Sequence, residues 1–323
     1  MIAVTARENL PTKEKATIDG HVGRLSELLG YGVEKRMLTY NPATNSSGGV
    51  KKAGMERDSD QRDAFTDTEL ATIFSAKWFQ TGTGEIRSKG STHWRPFNFW
   101  APIIGLYAGG RVSELAQLYL DDIRQSGNGI WYIDFNLVQP DKVRDDDAIE
   151  GEATYEEIGI KSLKNANAVR VVPIHDELLR LGLVDYAQGL RSAGYQRLFP
   201  ELKRDPVKGY GKPVGKWFNE HYLGKKLGMK RDGRKVFHSL RHNFISRLDE
   251  LDVIESKIAQ LVGHERGDTQ SAKRYRKDLA AEKIKPLMDQ LQYPALPTIA
   301  PFDIPSGLRA IKWALRLKES MQR

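Results

Sequence analysis

The sequence predicts a mainly helical α+β chain with a small antiparallel sheet. Three observations lead there. Apolar residues recur at helical spacing along most of the chain, from Ile18, Val22, Leu25 and Leu29 to Leu308, Ile311 and Leu315. Strand-like runs are confined to the middle: I-W-Y-I-D-F-N-L at 130–137, and Ile158 and Ile160 followed by Val169, Val171 and Ile174. The second run is split by Lys164-Asn165-Ala166-Asn167, and because Asn favours turns it reads as a hairpin with Lys164 at or near its tip.

Taken in order, residues 1–17 are polar, and a helix follows until Asn41-Pro42, where proline disfavours helix in the residue before it. Residues 43–62 have linker composition. The region 1–58 therefore offers one good helix and a tail, which either packs on the main domain or belongs to a larger N-terminal domain. The main domain is expected over 59–292. It opens on the cap cluster Thr66-Asp67-Thr68-Glu69, followed by Leu70, Ile73 and Phe74. The run P-F-N-F-W-A-P-I-I-G-L-Y-A at 96–108 reads as a buried helix broken by Gly109-Gly110. Arg111 sits at that turn, and Val112, Leu115, Leu118 and Tyr119 resume a helix whose first turn holds Glu114.

The acidic stretch 141–157 reads as an exposed insertion. Pro173 ends the hairpin, and one further helix is expected over 176–191. Ile254, Ile258, Leu261 and Val262 make a helix stopped by Gly263, with His264 just beyond. Residues 278–292 are helical in pattern, and Pro294, Pro297, Pro301 and Pro305 mark an extended connector. A basic amphipathic helix with Lys312, Arg316 and Lys318 is expected over 307–320. The C-terminal extension 293–323 either packs back on its own domain or docks in trans on a neighbouring copy.

Composition removes several classes. The 323 residues, 40% apolar, are enough for one large domain and a smaller piece. The chain has no cysteine, so disulfide frameworks, thiolate metal sites and cysteine nucleophiles are excluded. No stretch nears 18 consecutive apolar residues and the start lacks a signal-peptide pattern, so no membrane partner is expected and a cytoplasmic location is. The net charge is +8 and the pI about 9.4, a balance that suits nucleic acid. Much of the excess lies at 203–235, where Lys212, Lys216, Lys230 and Arg234 are candidate phosphate contacts; a solvated lysine-rich face is the plainer alternative.

The most informative stretch is 236–275. Leu240, Phe244, Ile245 and Leu248 form an apolar helical stripe, and Arg241 falls inside it. A guanidinium there is costly unless paired, so Arg241 either has a buried carboxylate partner or points into a site that binds an anion. His238 and His242 are four apart, as on a zinc helix, but Ser239 stands where H-E-x-x-H needs Glu and no third ligand is evident, so no metal is expected. His242 alone reads as a structural histidine. The nearest approach to a Walker loop, Gly211 to Lys216, has the wrong spacing and runs into Trp217.

Five pieces occur in order: G-L-Y-A-G-G-R-V-S-E-L, the K-N-A-N-A-V-R-V-V-P hairpin, H-S-L-R-H, L-V-G-H and a final R-Y. Together they resemble the tyrosine recombinase (phage integrase) family over roughly 60–290. The resemblance implies the integrase catalytic-domain fold and a site-specific DNA recombinase that cleaves and rejoins strands through a 3′-phosphotyrosyl intermediate, without ATP or any other cofactor. It implies catalytic roles for Arg111, Lys164, His238, Arg241, His264 and Tyr275. Tyr275 would be the nucleophile, Arg111 and Arg241 a phosphate clamp, and His264 a further donor to the phosphate. His238 would handle the tyrosine proton, Lys164 would be the acid for the leaving oxygen, and Glu114 a support. Lys161 competes with Lys164, which has the better spacing to Arg170 and Pro173. The eleven residues from His264 to Tyr275 slightly exceed the commonest family spacing, and Tyr293 is the only later tyrosine. Residues 18–42 resemble only the last helix of the family's core-binding domain. The implied partner is double-stranded DNA, bound by a homotetramer that is monomeric without it, in a bacterial or phage-encoded setting. A type IB topoisomerase-like relaxing enzyme and a non-catalytic DNA-binding module are the alternatives.

Overall fold

The computed structural model of the protein describes residues 15–44, 62–84, 94–137, 161, 168–264 and 281–322. Two compact units divide the chain, Met1–Arg57 and Asp58–Arg323. The first contains α1 (Lys15–Glu34) and the turn after it. Asn41 donates from Nδ2 to Ser26 O at 2.8 Å, which folds the Asn-Pro exit back onto the helix. Ile18, Leu25 and Leu28 stay exposed, since a single helix has nothing of its own to bury them against.

The second unit is mainly helical with one three-stranded antiparallel sheet. It opens on α2 (Asp67–Phe74), whose capping box joins Thr66 and Glu69 as its sequence predicts. The short α3 (Lys77–Thr81) follows. At the centre lies α4 (Pro96–Ala108), buried along its whole length, as an apolar-all-round sequence requires. Gly109 ends it with φ +61°, and a Cβ there would stand 2.4 Å from the Phe244 ring. Glycine thus lets the chain reverse while the helix bearing Phe244 comes close. The next helix, α5 (Val112–Ala116), is shorter than its apolar spacing suggests. Leu118 O instead accepts from Leu198 N at 3.0 Å, and Leu120 N donates to Gln196 O at 2.8 Å, so pairing with 196–198 takes over.

A 3₁₀ turn (Leu120–Asp122) leads into β1 (Ile123–Gln125), β2 (Trp131–Phe135) and β3 (Arg170–Pro173), in sheet order β1-β2-β3. The register sets Ile133 opposite Ile123 and Val172, and Phe135 opposite Arg170. β1 is too short for its alternation to be read from sequence. The single helix expected over 176–191 is two, α6 (Asp176–Arg180) and α7 (Leu183–Ser192). Gly182, at φ +87°, breaks them.

The basic region holds α8 (Gly211–Lys216), continued by a π-helical segment (Trp217–Lys226). Then come α9 (Phe237–Glu250), packed along α4, and α10 (Glu255–Val262), packed near β3. The described part of the next helix is α11 (Ala281–Met288). The last, α12 (Ile304–Gln322), begins three residues before the expected 307, so Pro305 lies in its first turn rather than in the connector.

The C-terminal extension is seated on its own domain. Phe302 lies against Trp100, Phe99 and Tyr186, with ring centroids at 5.2, 5.1 and 4.9 Å. Its N–H donates to Leu181 O at 2.9 Å, and Ala310, Ile311 and Ala314 are buried.

Candidate active site

Gly109 and the C-terminal end of α10 bring four expected site residues to one place. Arg111 is the N-cap of α5, where its N–H donates to Glu114 Oε2 at 2.9 Å and its Nη1 to Glu114 Oε1 at 2.7 Å. Glu114 is therefore more than a favourable charge in a first helical turn. Its carboxylate is buried and also accepts from Arg170 Nη2 at 2.7 Å. Burial disfavours its charge, but the Arg170 and Arg111 guanidiniums outweigh that and hold its pKa below the usual range.

Arg241 points inward from α9 and is only 1% exposed. Its Nη1 donates to Gly109 O at 2.7 Å and its Nη2 to Val262 O. Among the described residues no carboxylate lies within ion-pair distance of it. Burial first, then Arg111 and Arg170, push its pKa down to about 9, and Glu114 only partly offsets them. It remains cationic at neutral pH.

The end of α10 organises all three arginines. Arg170 Nε donates to Leu261 O at 2.7 Å, Arg241 Nη2 to Val262 O, and Arg111 Nη2 to Gly263 O at 3.5 Å. Three consecutive carbonyls thus each face a different guanidinium, at the negative end of the helix dipole. Gly263, at φ +68°, and the bond from His264 N to Ala259 O at 2.9 Å form the expected left-handed cap. That cap fixes the backbone of His264 beside Arg111 and Arg241.

Both histidines are neutral at physiological pH. His264 is pushed down to about 4 by burial and then by Arg241, Arg111 and Arg170. His238, in the first turn of α9, is pushed down to about 3 by burial, then Arg241 and His242. His242 meets it edge to face, ring centroids 5.1 Å apart. Among the described residues no three His, Asp or Glu side chains gather as a metal would need. Two or three guanidiniums with one carboxylate and two neutral imidazoles make a net positive pocket with hydrogen-bond donors, which is chemistry for an oxyanion.

Lys164 and Tyr275 lie outside the described residues, as do the acidic 141–157 stretch and the R-Y ending. Lys161 is buried and fully engaged: Nζ donates to Asp122 Oδ1 at 2.7 Å and Asn136 Oδ1 at 2.9 Å, over the Tyr119 ring. Tyr293 is buried, its hydroxyl donating to Leu106 O at 2.9 Å. Of the four candidate phosphate contacts, Lys212 pairs with Asp205, Lys230 with Asp232 at 3.4 Å and Arg234 with Asp63 at 2.8 Å, while Lys216 is exposed and makes no ion pair among the described residues. Gly211 to Lys216 is helical, not a phosphate-cradling loop.

Sequence reasoning passed over Arg170, although a signal was present. Strand alternation puts residue 170 in phase with buried Val172, so an arginine there faces inward. It stacks on its cross-strand partner Phe135, 4.1 Å from the ring centroid.

No family model matches the chain, and no curated protein matches it. Among solved structures, the integrase from mycobacterium phage Brujita is similar at 14% identity and a TM-score of 0.41, over 92% of this chain and 78% of that one.

Proposed function

We propose that this chain is a DNA strand transferase of the tyrosine recombinase class. The observation that carries the reading is Arg241, a buried guanidinium with no carboxylate partner among the described residues, set beside Arg111, His238 and His264. A DNA phosphodiester supplies the missing anion. Arg111 and Arg241 bind its nonbridging oxygens and stabilise the added charge of the pentacoordinate transition state. Neutral His264 donates one further hydrogen bond.

Tyr275 is the proposed nucleophile. Its oxygen forms the new P–O bond as the bond to the 5′-oxygen breaks. The phenolic proton leaves through His238, since a neutral imidazole carries one lone pair that can accept it, and the leaving 5′-oxygen takes a proton from Lys164. The bond energy stays in the 3′-phosphotyrosine, so rejoining needs no ATP. The engagement of Lys161 with Asp122 and Asn136 supports giving the acid role to Lys164. The burial of Tyr293 supports Tyr275 as nucleophile. Integration or excision of a mobile element by a tetramer on DNA would follow from this class.

The test is a suicide DNA duplex carrying the element's own junctions, with adduct read by gel shift after denaturation. The wild-type chain and Tyr293→Phe are expected to form the adduct, and Tyr275→Phe to lose it. An adduct that survives in Tyr275→Phe overturns the assignment of the nucleophile. Relaxation of supercoiled DNA with no defined site would instead favour the topoisomerase-like reading.

A further inference from the structure

We propose that Arg170 is a positioning residue that sets the geometry of the phosphate pocket from behind. This rests on the proposed reading of the pocket as an oxyanion site, and it names a residue outside the set expected to touch the phosphate. Arg170 is buried at the start of β3 and makes three hydrogen bonds in three directions. Nη1 donates to Ala168 O at 2.8 Å, Nη2 to Glu114 Oε2 at 2.7 Å and Nε to Leu261 O at 2.7 Å. Its guanidinium plane is fixed on Phe135. Each of its three nitrogens is thus held by a different partner.

Its two longer-range partners lead to different halves of the pocket. Glu114 holds Arg111 through both carboxylate oxygens. Leu261 O belongs to the turn that closes with Gly263 and His264 and offers Val262 O to Arg241. Arg170 therefore ties the element presenting Arg111 to the element presenting His264, and anchors both to the sheet. The three arginines are not equivalent. Arg170 is bound by its own chain through all three of its guanidinium nitrogens, whereas Arg111 has only a long 3.5 Å contact beyond Glu114. An oxyanion can draw on Arg111 and Arg241 without losing the frame, because Arg170 keeps holding it.

Lysine at 170 keeps the charge but cannot span Glu114 and Leu261 O with a rigid fork. The experiment compares wild type, Arg170→Lys and the charge-balanced double variant Arg170→Met/Glu114→Gln, all as the full chain. Folding is followed by thermal melting. The pocket is read in two independent ways: by the phosphate-induced NMR shifts of the imidazole signals of His238 and His264, with inorganic phosphate as the probe, and by adduct formation on the suicide duplex. The expected result is that the double variant melts close to wild type, since an acid and a base leave together. Both variants should nonetheless lose at least about ten-fold in phosphate affinity and in adduct rate, with DNA affinity little changed. Variants that fold and then bind phosphate and form adduct like wild type overturn the proposal and leave Arg170 a core ion pair. If wild type itself forms no adduct on any DNA, the recombinase reading fails, while the phosphate arm still decides the role of Arg170.

Discussion

Two buried cations in this protein are handled in opposite ways. Lys161 sits in a closed network: one carboxylate, one amide oxygen and one aromatic face meet its ammonium group. Arg241 is at least as buried, yet its described partners are two main-chain carbonyls, and the charges nearest to it are mostly of its own sign. The first arrangement is self-sufficient and would gain nothing from a ligand. Among the described residues the second is met directly only by main-chain dipoles, and the more distant Glu114 leaves a surplus of positive charge. Such a surplus is what the proposed anion site would use.

Removing each cation should therefore have opposite consequences. Arg241→Met takes away a guanidinium that faces two others, so unfolding stability should change by less than about 2 kcal/mol in either direction, while under the proposed function adduct formation falls by about 10²–10³-fold. Lys161→Met strands Asp122 as an unpaired buried acid and should cost about 3–5 kcal/mol of stability, with phosphate binding retained in whatever fraction stays folded. Denaturant melts beside adduct assays on the same preparations make the check. If Arg241→Met unfolds the chain while Lys161→Met does not, the distinction between an open and a closed cation is wrong.

The parts legible in sequence were those decided locally. The continuous apolar run 96–108 had to be buried, Thr66 and Glu69 had to cap, and Gly263 had to stop a helix. Arg241 was visible as an anomaly because its neighbours on the stripe are Leu240 and Phe244. What could not be read was anything answered by a distant main-chain atom. Leu261, Val262 and Gly263 receive three arginines through carbonyl groups that every residue possesses, so no side-chain pattern announces the socket. For the same reason the helix after Arg111 looked longer than it is: its last expected turn is diverted by backbone pairing to residues 196–198.

The two regions should also respond differently to acid. In the unfolded chain His238 and His264 take up protons near pH 6.5, whereas in the fold they do so only at about 3 and about 4. Below 6.5 the unfolded state binds more protons, so stability present above that pH is lost as pH falls toward the folded-state values. Asp122 acts with the opposite sign: burial raises its pKa in spite of Lys161, so its protonation favours the folded state at the acid end. Between pH 6.5 and 5 the histidines should dominate, and the loss should reach about 1–2 kcal/mol, less than the full displacement implies because His264 is partly screened by solvent. Added inorganic phosphate should reduce the slope, since an anion beside Arg111 and Arg241 favours both imidazolium forms. Urea melts across that interval test this, and a slope unchanged in His238→Asn/His264→Asn would assign the acid sensitivity elsewhere.

The same distinction between engaged and open cations extends to the surface, where the effects are smallest. Lys212 is already paired with Asp205, and Asp205 is held by the N–H groups of Val207 and Lys208 as well. Lys216, one helical turn along, is exposed and makes no ion pair among the described residues. If this face follows the DNA backbone, Lys216→Ala should lower the slope of log affinity against log salt by about 0.9, the equivalent of one released counterion, and weaken binding several-fold at low salt. Lys212→Ala should do less, because a lysine that leaves Asp205 for a phosphate gives up one anion to gain another, and it exposes an acid to the DNA. Equal slopes for the two variants would mean that ion pairing on the free protein does not decide which lysines the DNA uses, and the contrast would then hold only where water is excluded.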